Sequence, residues 1–385
     1  MTRQREEKKS FFKLNNYYDY TLLFLTIFLV CFGLVMIYRS SSYVAQRSDK
    51  YNYDAAFFMK KQAKNAILGV ILMMIASKVD YRKLTAQVGK FKLVYIFYIF
   101  CVILQMYVLK FGQMLNGKRR WVKFGPLSFQ PSDLTKLAII ILIACLVFKA
   151  PGQMDNIGGF LRIGVYTGPA ILLIAIANLS TAIVASAIVG GMCFVASRRK
   201  WYYGAALIAF AAFVGIFIKF FSDGYRSSRI QTWLNIDTAE GGYQIRQGLY
   251  AIASGGLTGT GLGDSMQKLG FIPEAQNDMI FSVICEELGI FGAIVVMFLF
   301  AMLLYRIYII ALNAPDLFGS MICVGVMIQV AVQVVINVAV VTNSMPSTGI
   351  ALPFISYGGT SLIIMMAEIG LVLGVSNRIY HKRTI

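Results

Sequence analysis

Ten apolar runs, each close to the length of a membrane-spanning helix, constrain more than any other feature how this chain can fold. A spanning helix needs about 20 mostly apolar residues. The runs fall at Tyr20–Tyr38, Phe57–Ser77, Phe91–Leu109, Asp133–Phe148, Leu161–Ala177, Ser180–Ser197, Tyr202–Phe220, Met279–Tyr308, Phe318–Val341 and Gly358–Val375. Apolar residues make up 58% of the chain and charged residues 14%, whereas soluble domains hold about 45–50% and about 25%. We therefore expect an all-α, polytopic membrane protein of about ten transmembrane helices.

The number of spans and the basic N-terminus predict the topology. An even number of spans puts both termini on one side, and a basic N-terminus favours the cytoplasm. The expected organisation is a cytoplasmic N-terminal tail at 1–19, one ten-helix membrane domain at 20–377 and a cytoplasmic C-terminal tail at 378–385. A long external loop, 221–278, then connects helices 7 and 8.

The long external loop has features of ordered structure. Ile245, Leu249 and Ile252 recur at helical spacing and predict an amphipathic helix. A cluster of glycines follows from Gly255 to Gly263. Without a preceding strand these glycines do not predict a nucleotide site, so we expect tight turns that let the backbone approach a ligand or another helix.

The net charge of +18 has its simplest explanation in the membrane. Basic residues in short loops fix topology and meet anionic lipid, whereas a nucleic-acid site needs a basic face on a soluble domain. Of the 36 Lys and Arg residues, 19 lie in segments expected to be cytoplasmic, so the usual bias is weak. The external run Asn116–Lys123 is the densest basic segment. Interfacial anchoring explains it in one hypothesis, and binding of an anionic substrate such as a lipid pyrophosphate in the other.

Acidic residues are scarce and several lie at or inside the predicted spans. Asp133 and Lys136 are three residues apart on the fourth span, where an ion pair is the simpler explanation. Asp278 stands at the start of the eighth span, four residues after Glu274. For three further carboxylates inside the spans we favour helix-to-helix hydrogen bonding over a functional role: these are Glu286, Glu287 and Glu368.

Three groups of motifs carry a resemblance to a known family. They are Asn116-Gly-Lys-Arg-Arg-Trp121 with Phe129-Gln-Pro-Ser-Asp-Leu-Thr-Lys136; Gly242-Tyr-Gln, Gly255-Gly, Gly261-Leu-Gly, Gln267-Lys268 and Pro273-Glu-Ala-Gln-Asn-Asp278; and Pro346-Ser-Thr-Gly-Ile-Ala-Leu-Pro-Phe-Ile-Ser-Tyr-Gly-Gly359. From Tyr18 to Asn377 the chain resembles the SEDS family of shape, elongation, division and sporulation proteins. Tyr18-Asp-Tyr and Phe58-Met-Lys-Lys-Gln are more similar to its division and sporulation members, FtsW and SpoVE, than to its elongation member RodA.

The resemblance implies a peptidoglycan glycosyltransferase that polymerises lipid II into glycan strands on the external face of the membrane. It implies that Asp278 is catalytic and that Arg120, Trp121, Lys136 and Glu274 have functional roles, which we expect in substrate binding. The same motifs supply the remaining substrate-binding candidates: Asp133, Gln267, Lys268, Ser356 and Tyr357. Two segments depart from the common family pattern, Gln276-Asn277 in place of His-Thr and Ala177-Asn178-Leu179 in place of a Pro-Asp or Pro-Asn-Leu segment.

The implied chemistry suits these residues. Growth joins C1 of a muramyl sugar to O4 of a glucosamine, and the pyrophosphate leaving group needs charge stabilisation rather than a general acid. One carboxylate suffices as general base, and an α-linked donor giving a β-linked product implies inversion. We expect Lys136 to keep Asp278 ionised and partial burial to oppose it. No protein metal site is predicted, because the six cysteines form no CxxC pair and His381 is the one histidine. Charge stabilisation by a divalent cation, Mg²⁺ or Mn²⁺, is compatible with the reaction.

Two other functions fit part of the sequence. A lipid-precursor flippase or transporter shares intramembrane charges and broken spans, but it favours a midplane site and internal repeats. A pure scaffold would leave the external motifs unexplained. The family implies as partners lipid II, a class B penicillin-binding protein that acts as transpeptidase, other divisome or elongasome membrane proteins and membrane lipid, with no nucleic acid. It places the protein in the bacterial cytoplasmic (inner) membrane.

Overall fold

Helices build the structure. A computed structural model describes residues 15–381 except 89–90, 116–117, 125–126, 201–228, 230, 238–241 and 262–269. The helices are α1 (Tyr20–Gln46), α2 (Phe57–Lys78), α3 (Leu93–Phe111), α4 (Pro131–Lys149), α5 (Ile157–Ala177), α6 (Leu179–Ala196), α7 (Tyr243–Gly255), α8 (Ile280–Leu312), α9 (Leu317–Val341) and α10 (Thr360–Ser376). Short strands lie between them: β1 (Asn15–Tyr17), β2 (Gln87–Val88), β3 (Phe91–Lys92), β4 (Gln113–Leu115), β5 (Lys118–Phe124), β6 (Leu127–Phe129) and β7 (Ile379–His381).

Every predicted membrane span that the structure describes is a helix. Within the described residues, seven helices are long and apolar enough to cross a membrane. Of the other two predicted spans that are described, α2 carries lysines in its first turns and α10 is 17 residues long. The remaining predicted span, Tyr202–Phe220, lies outside the described residues. The predicted loop helix is confirmed as α7, which buries Ile245.

The helix ends define two faces of the bundle. One face, hereafter the site face, holds the α1–α2 connection, the α3–α4 connection, the α5–α6 connection, α7 with the turn before α8, and the α9–α10 connection. The opposite face, hereafter the far face, holds the start of α1 and the end of α10. All described candidates for catalysis or substrate binding lie on or just below the site face.

Ion pairs between distant parts of the chain stabilise the far face. Arg306 of α8 lies 2.6 Å from Asp19, which also caps the start of α1 through the amide of Leu22. Arg82 lies 2.8 Å from Asp316 at the start of α9. Strands β1 and β7 pair antiparallel, so the segments expected to form the two tails contact each other.

The strands on the site face were not expected from the sequence. β4, β5 and β6 form one antiparallel sheet between α3 and α4, and this sheet contains Arg120 and Trp121. Strands of three to seven residues give little periodic signal beside helices of about twenty. The dense basic segment is therefore a hairpin rather than an irregular loop.

Helix α8 is broken within the membrane domain. Gly289 has φ +66° and ψ −170°, so the helical hydrogen bonds around it cannot form. The glycine segment at the end of α7, hereafter the wedge (Gly255–Gly261), provides hydrogen bonds in their place. Carbonyls of the first half of α8 accept from the wedge, because the amides of Thr260 and Gly261 donate to Glu286 and Glu287 at 2.9 and 3.2 Å.

In the second half of α8, amides donate hydrogen bonds to carbonyls of the same wedge. The amides of Ile290 and Phe291 donate to the carbonyls of Gly256 and Leu257 at 3.0 and 3.2 Å. A Cβ on Gly255 would lie 2.0 Å from the carbonyl oxygen of Cys285, and one on Gly259 would lie 2.2 Å from that of Glu287. The predicted close backbone approach is confirmed, and its partner is another helix.

Replacing Gly289 with alanine should destabilise the protein markedly. A Cβ there would lie 2.4 Å from the wedge amide of Gly259, and the left-handed φ adds strain. We expect the free energy of unfolding to fall by about 2 kcal/mol or more. Thermal unfolding of the detergent-solubilised protein measures the change.

Gly164→Ala is the matched control for that substitution. Gly164 lies in α5, and a Cβ there would meet nothing within 4 Å. Alanine favours helix by about 1 kcal/mol over glycine, so this variant should unfold at the same temperature or higher. Equal behaviour of Gly164→Ala and Gly289→Ala would contradict the wedge as described.

Candidate active site

Asp278 lies in a tight turn between the wedge region and α8. Residues 273–279 form successive turns, and Glu274 adopts a left-handed φ of +49°. The side-chain amide of Asn277 donates to Glu274 Oε2 at 2.7 Å, and the backbone amide of Asn277 donates to the Glu274 carbonyl at 2.9 Å. These bonds fix the backbone immediately before Asp278.

A fully buried asparagine on α9 holds this turn against the next loop. Asn337 Nδ2 donates to the carbonyl of Asp278 at 2.8 Å and to the carbonyl of Ile350 at 2.8 Å. A Cβ on Gly349 would lie 3.8 Å from Asp278 Oδ2, so the loop before α10 runs beside the carboxylate. Asn337 therefore positions both the Asp278 turn and the loop before α10.

Burial raises the pKa of the Asp278 carboxyl above its usual value. The nearby charge of Glu274 raises that pKa further, and the charge of Arg229 lowers it. The side chain of Arg229 is bonded to the loop before α10, because its Nη1 donates to the carbonyl of Ser347 at 3.0 Å. Among the described residues, the cation that acts on Asp278 is Arg229, and the expectation that Lys136 fills this role is corrected. A carboxylate with a raised pKa is a stronger base than an exposed one.

Lys136 is buried in α4 among carboxylates. Its Nζ lies 3.0 Å from Asp133 Oδ1, which confirms the ion pair expected from their spacing. The other oxygen of Asp133 accepts from the hydroxyl of Ser361 on α10. Lys136 also interacts electrostatically with Glu368, whose Oε2 accepts from Gln329 of α9 at 2.7 Å. This arrangement joins α4, α9 and α10 inside the bundle, so the helix-to-helix bonding expected for Glu368 is present.

The loop that precedes α10 contacts both the Asp278 turn and α2. The Tyr357 amide donates to the carbonyl of Gln276 at 2.8 Å, and its ring packs edge-on against Phe58 at 5.2 Å. Burial raises the pKa of Tyr357 to about 12, so its phenol is neutral near pH 7. The Ser356 hydroxyl accepts from the amide of Leu352, and the Ser356 carbonyl accepts from Gln62 Nε2 at 3.2 Å.

The basic hairpin is bonded to the α5–α6 connection. Arg120 Nε donates at 2.9 Å to the carbonyl of Ala177, the last residue of α5. Asn178 follows and caps α6, since its side chain accepts from the amide of Ser180 at 3.1 Å. Trp121 is half-buried on β5 beside Arg120. The hairpin also reaches α10, because the Thr360 hydroxyl donates to the carbonyl of Ser128 at 3.0 Å.

The site face therefore brings together most of the residues predicted from the motifs. Gln267 and Lys268 lie outside the described residues. Three polar residues that position the site were missed by the sequence analysis: Gln62, Arg229 and Asn337. Asn337 had a usable signal, because Gln329, Gln333 and Asn337 stand four residues apart and form a polar stripe in an apolar helix.

The described residues contain no group of three or more His, Cys, Asp or Glu side chains suited to a metal. Near Asp278 they provide one further carboxylate, Glu274. Mg²⁺ is commonly bound by one or two carboxylates together with substrate phosphates, so two carboxylates fit a cation that arrives with a pyrophosphate. A divalent cation therefore stays a prediction.

Comparison with known proteins places this arrangement in a family. The chain matches the family of FtsW, RodA and SpoVE, described as cell cycle proteins, over residues 20–381. This protein belongs to that family. It is 38% identical to stage V sporulation protein E of Bacillus subtilis (strain 168), over 93% of this chain and 96% of the relative. It is 36% identical to a probable peptidoglycan glycosyltransferase FtsW of Geobacter sp. (strain M18), over 94% of this chain and 97% of the relative.

Solved structures of family members share the fold. A chain from a peptidoglycan synthase complex that coordinates polymerization and crosslinking superposes with a TM-score of 0.77 at 27% identity, over 95% of this chain and 99% of that one. RodA of Thermus thermophilus superposes with a TM-score of 0.68 at 27% identity, over 95% and 98%. The chain is thus a polytopic helical membrane protein with the RodA-like fold.

Replacing Arg120 with alanine should lower stability, because the buried carbonyl of Ala177 would lose the donor from Arg120. Leaving a buried acceptor without a partner costs about 1–3 kcal/mol. Thermal unfolding in detergent measures the loss.

The neighbouring Arg119→Ala is the control for Arg120→Ala. Arg119 is exposed and donates to the carbonyl of Lys110, so its removal should change stability by less than about 0.5 kcal/mol. If the two variants unfold alike, the Arg120 bond to Ala177 is not structural.

Proposed function

We propose that this protein is a peptidoglycan glycosyltransferase that polymerises lipid II into glycan strands, with Asp278 as general base. Full-length relatives named as probable peptidoglycan glycosyltransferases support the activity. One structural observation carries the assignment of the base. The backbone carbonyl of Asp278 is held by Asn337 on the site face, and burial raises the pKa of its partly buried carboxyl.

The proposed reaction is a single displacement at C1 of the donor's muramyl sugar. O4 of the acceptor glucosamine attacks C1 while the bond from C1 to the pyrophosphate oxygen breaks. The hydroxyl proton moves to the carboxylate of Asp278, and the lipid pyrophosphate leaves as an anion that needs no protonation. The product is β-linked from an α-linked donor, as expected for one inversion.

The basic hairpin is the better candidate for the donor pyrophosphate in this proposal. Lys136 is already paired with Asp133 and near Glu368, so the positive potential it offers to an anion is small. Arg120 stands on a strand at the site face, and an arginine can bind phosphate oxygens through two nitrogens. Trp121 beside it offers an apolar surface for a sugar or a polyprenyl chain.

The proposal extends to location and partners. A multi-pass protein of this family belongs in the bacterial cytoplasmic membrane, with the site face outside, where lipid-linked precursors are polymerised. The likeness to a chain of a solved peptidoglycan synthase complex supports a class B penicillin-binding protein as partner. Such a partner would cross-link the strands made here. Other divisome or elongasome proteins are further candidates.

Asp278→Asn should abolish polymerisation while the protein still folds. Asparagine keeps the shape of the side chain but cannot accept the hydroxyl proton, and loss of a general base typically lowers the rate by ~10²–10⁴-fold. Gel analysis of glycan strands made from lipid II by the purified protein with its penicillin-binding partner measures the loss. Near-normal polymerisation by Asp278→Asn would remove Asp278 from the role.

Glu274→Gln is the matched comparison for Asp278→Asn. Glu274 is exposed and bonded to Asn277, and a glutamine oxygen can still accept that bond. Activity should therefore fall less than in Asp278→Asn. A dead Glu274→Gln enzyme beside an active Asp278→Asn enzyme would move the base to Glu274.

The topology predicts which face a membrane-impermeant thiol reagent reaches in intact cells. On a cysteine-free background, Tyr250→Cys on α7 should be labelled, because Tyr250 is exposed on the site face. Lys83→Cys on the far face should be labelled only after the membrane is permeabilised. The reverse pattern would place the site face in the cytoplasm and exclude the proposed reaction there.

A further inference from the structure

A second basic surface on the site face takes no part in the mechanism above. The basic patch, as we call it, consists of five exposed cations at the α1–α2 connection: Arg47, Lys50, Lys60, Lys61 and Lys64. The same stretch holds two acidic residues, Asp49 and Asp54. Asp54 bonds Lys60 Nζ at 2.7 Å and the Ala56 amide at 3.0 Å, which secures the start of α2. The patch thus keeps a net positive charge.

An unusual backbone conformation presents an aromatic ring in the middle of this patch. Asn52 and Tyr53 both have left-handed φ angles, 53° and 54°. Their amides donate to the carbonyls of Asp49 and Ser48 at 2.9 and 3.3 Å, so the conformation is held by the local turn. Tyrosine rarely adopts such a φ, and residues held this way concentrate at functional sites. Here the conformation leaves the Tyr53 side chain 61% exposed.

The patch is joined to the Asp278 turn by direct contacts. Tyr51 packs on Phe58 at 4.8 Å, and Phe58 packs on Tyr357 at 5.2 Å. The amide of Tyr357 donates to Gln276, two residues before Asp278. On a second side, Arg47 lies over the ring of Tyr43, and a Cβ on Gly270 would lie 3.9 Å from that ring. The segment that carries the patch is therefore connected to the Asp278 turn through Phe58 and Tyr357.

We propose that Tyr53 and the basic patch form a subsite for the growing glycan strand, a sugar polymer whose peptide side chains carry carboxylates. This inference rests on the proposed glycosyltransferase function. The apolar face of a sugar ring packs on an exposed aromatic ring, and the lysines attract the peptide carboxylates. Exposed ion pairs are individually weak, so the strand stays associated and still advances after each addition.

The observations favour a polymer over a lipid headgroup as the ligand. Snorkelling lysines alone would suffice for lipid phosphate and would need no strained, outward-facing tyrosine. The contacts with Tyr357 and Gly270 connect the patch to the place where a strand would be made.

Binding of presynthesised glycan strands tests the subsite without requiring catalysis. The probe is uncrosslinked peptidoglycan strands with intact peptides, bound to the full-length protein in detergent. Replacing the two α2 lysines that Asp54 does not bind, Lys61→Gln together with Lys64→Gln, should weaken binding about fivefold at low salt, the scale expected of two exposed ion pairs. This difference should vanish near 1 M salt or when the peptides are removed from the strands.

The aromatic contribution is tested by substitutions that respect the backbone. Tyr53→Asn removes the ring and tolerates left-handed φ, so it should fold normally and bind about fivefold more weakly, with or without the peptides. Tyr53→Phe should restore binding. Lys83→Gln on the far face is the matched control and should bind like the wild-type protein.

Strand length gives an independent readout from lipid II. Patch variants should form first products at the normal rate but release shorter strands. Unchanged binding and unchanged length in the lysine and Tyr53→Asn variants would overturn the subsite. So would weakened binding to anionic phospholipid vesicles with normal binding to strands, which would assign the patch to lipid. Failure of the proposed activity is separate, since the wild-type protein with its partner would then make no strands from lipid II, whatever the binding results.

Discussion

The exchange of backbone hydrogen bonds between the wedge and the broken helix α8 is the interaction on which the rest of the site depends. Inside a membrane every backbone polar group needs a partner within the protein. Breaking α8 at Gly289 leaves carbonyls and amides that the wedge satisfies from both sides. Because glycines allow this approach, α7 and the first half of α8 are held as one unit. Asp278 stands at the start of that half.

The site face is then assembled by a few polar side chains that bridge distant segments. Asn337 joins the Asp278 turn to the loop before α10, and Arg120 joins the basic hairpin to the end of α5. Each bridge ends on a backbone carbonyl, so it fixes the path of the chain rather than one rotamer. Such bridges leave the carboxylate of Asp278 available for chemistry while its surroundings stay rigid. Preorganisation of this kind is what a general base requires.

Charge is distributed over the site in a way that separates structural from chemical roles. The pair of Lys136 with Asp133 lies inside the bundle, where isolated charges are expensive and paired charges can join helices. Arg119 on the hairpin and the five cations of the basic patch are exposed. Surface cations are open to anionic ligands in a way that Lys136 is not. The two basic regions therefore suit the two charged parts of the proposed reaction, the donor pyrophosphate and the peptide-bearing product.

The sequence by itself determined the class of fold, the family and the identity of the candidate base. Apolar length and helical spacing are local properties, so the described spans and α7 follow from residues close together in the chain. The motifs likewise placed Arg120, Asp278 and Tyr357 on one face, since helix count alone puts their loops on the same side. The turns and the short strands of the hairpin could not be predicted, because their sequences are too short to show a periodic pattern.

Only the tertiary structure decided which groups contact each other. It gave Asp278 the neighbour Arg229 instead of Lys136, tied Arg120 to Ala177, and used the glycine segment to repair a broken helix. It also turned Tyr53 outward beside the basic patch. The physical reason is that these partners are tens or hundreds of residues apart. Their pairing depends on how helices pack and which buried polar groups remain to be satisfied, and no local pattern in the sequence encodes that.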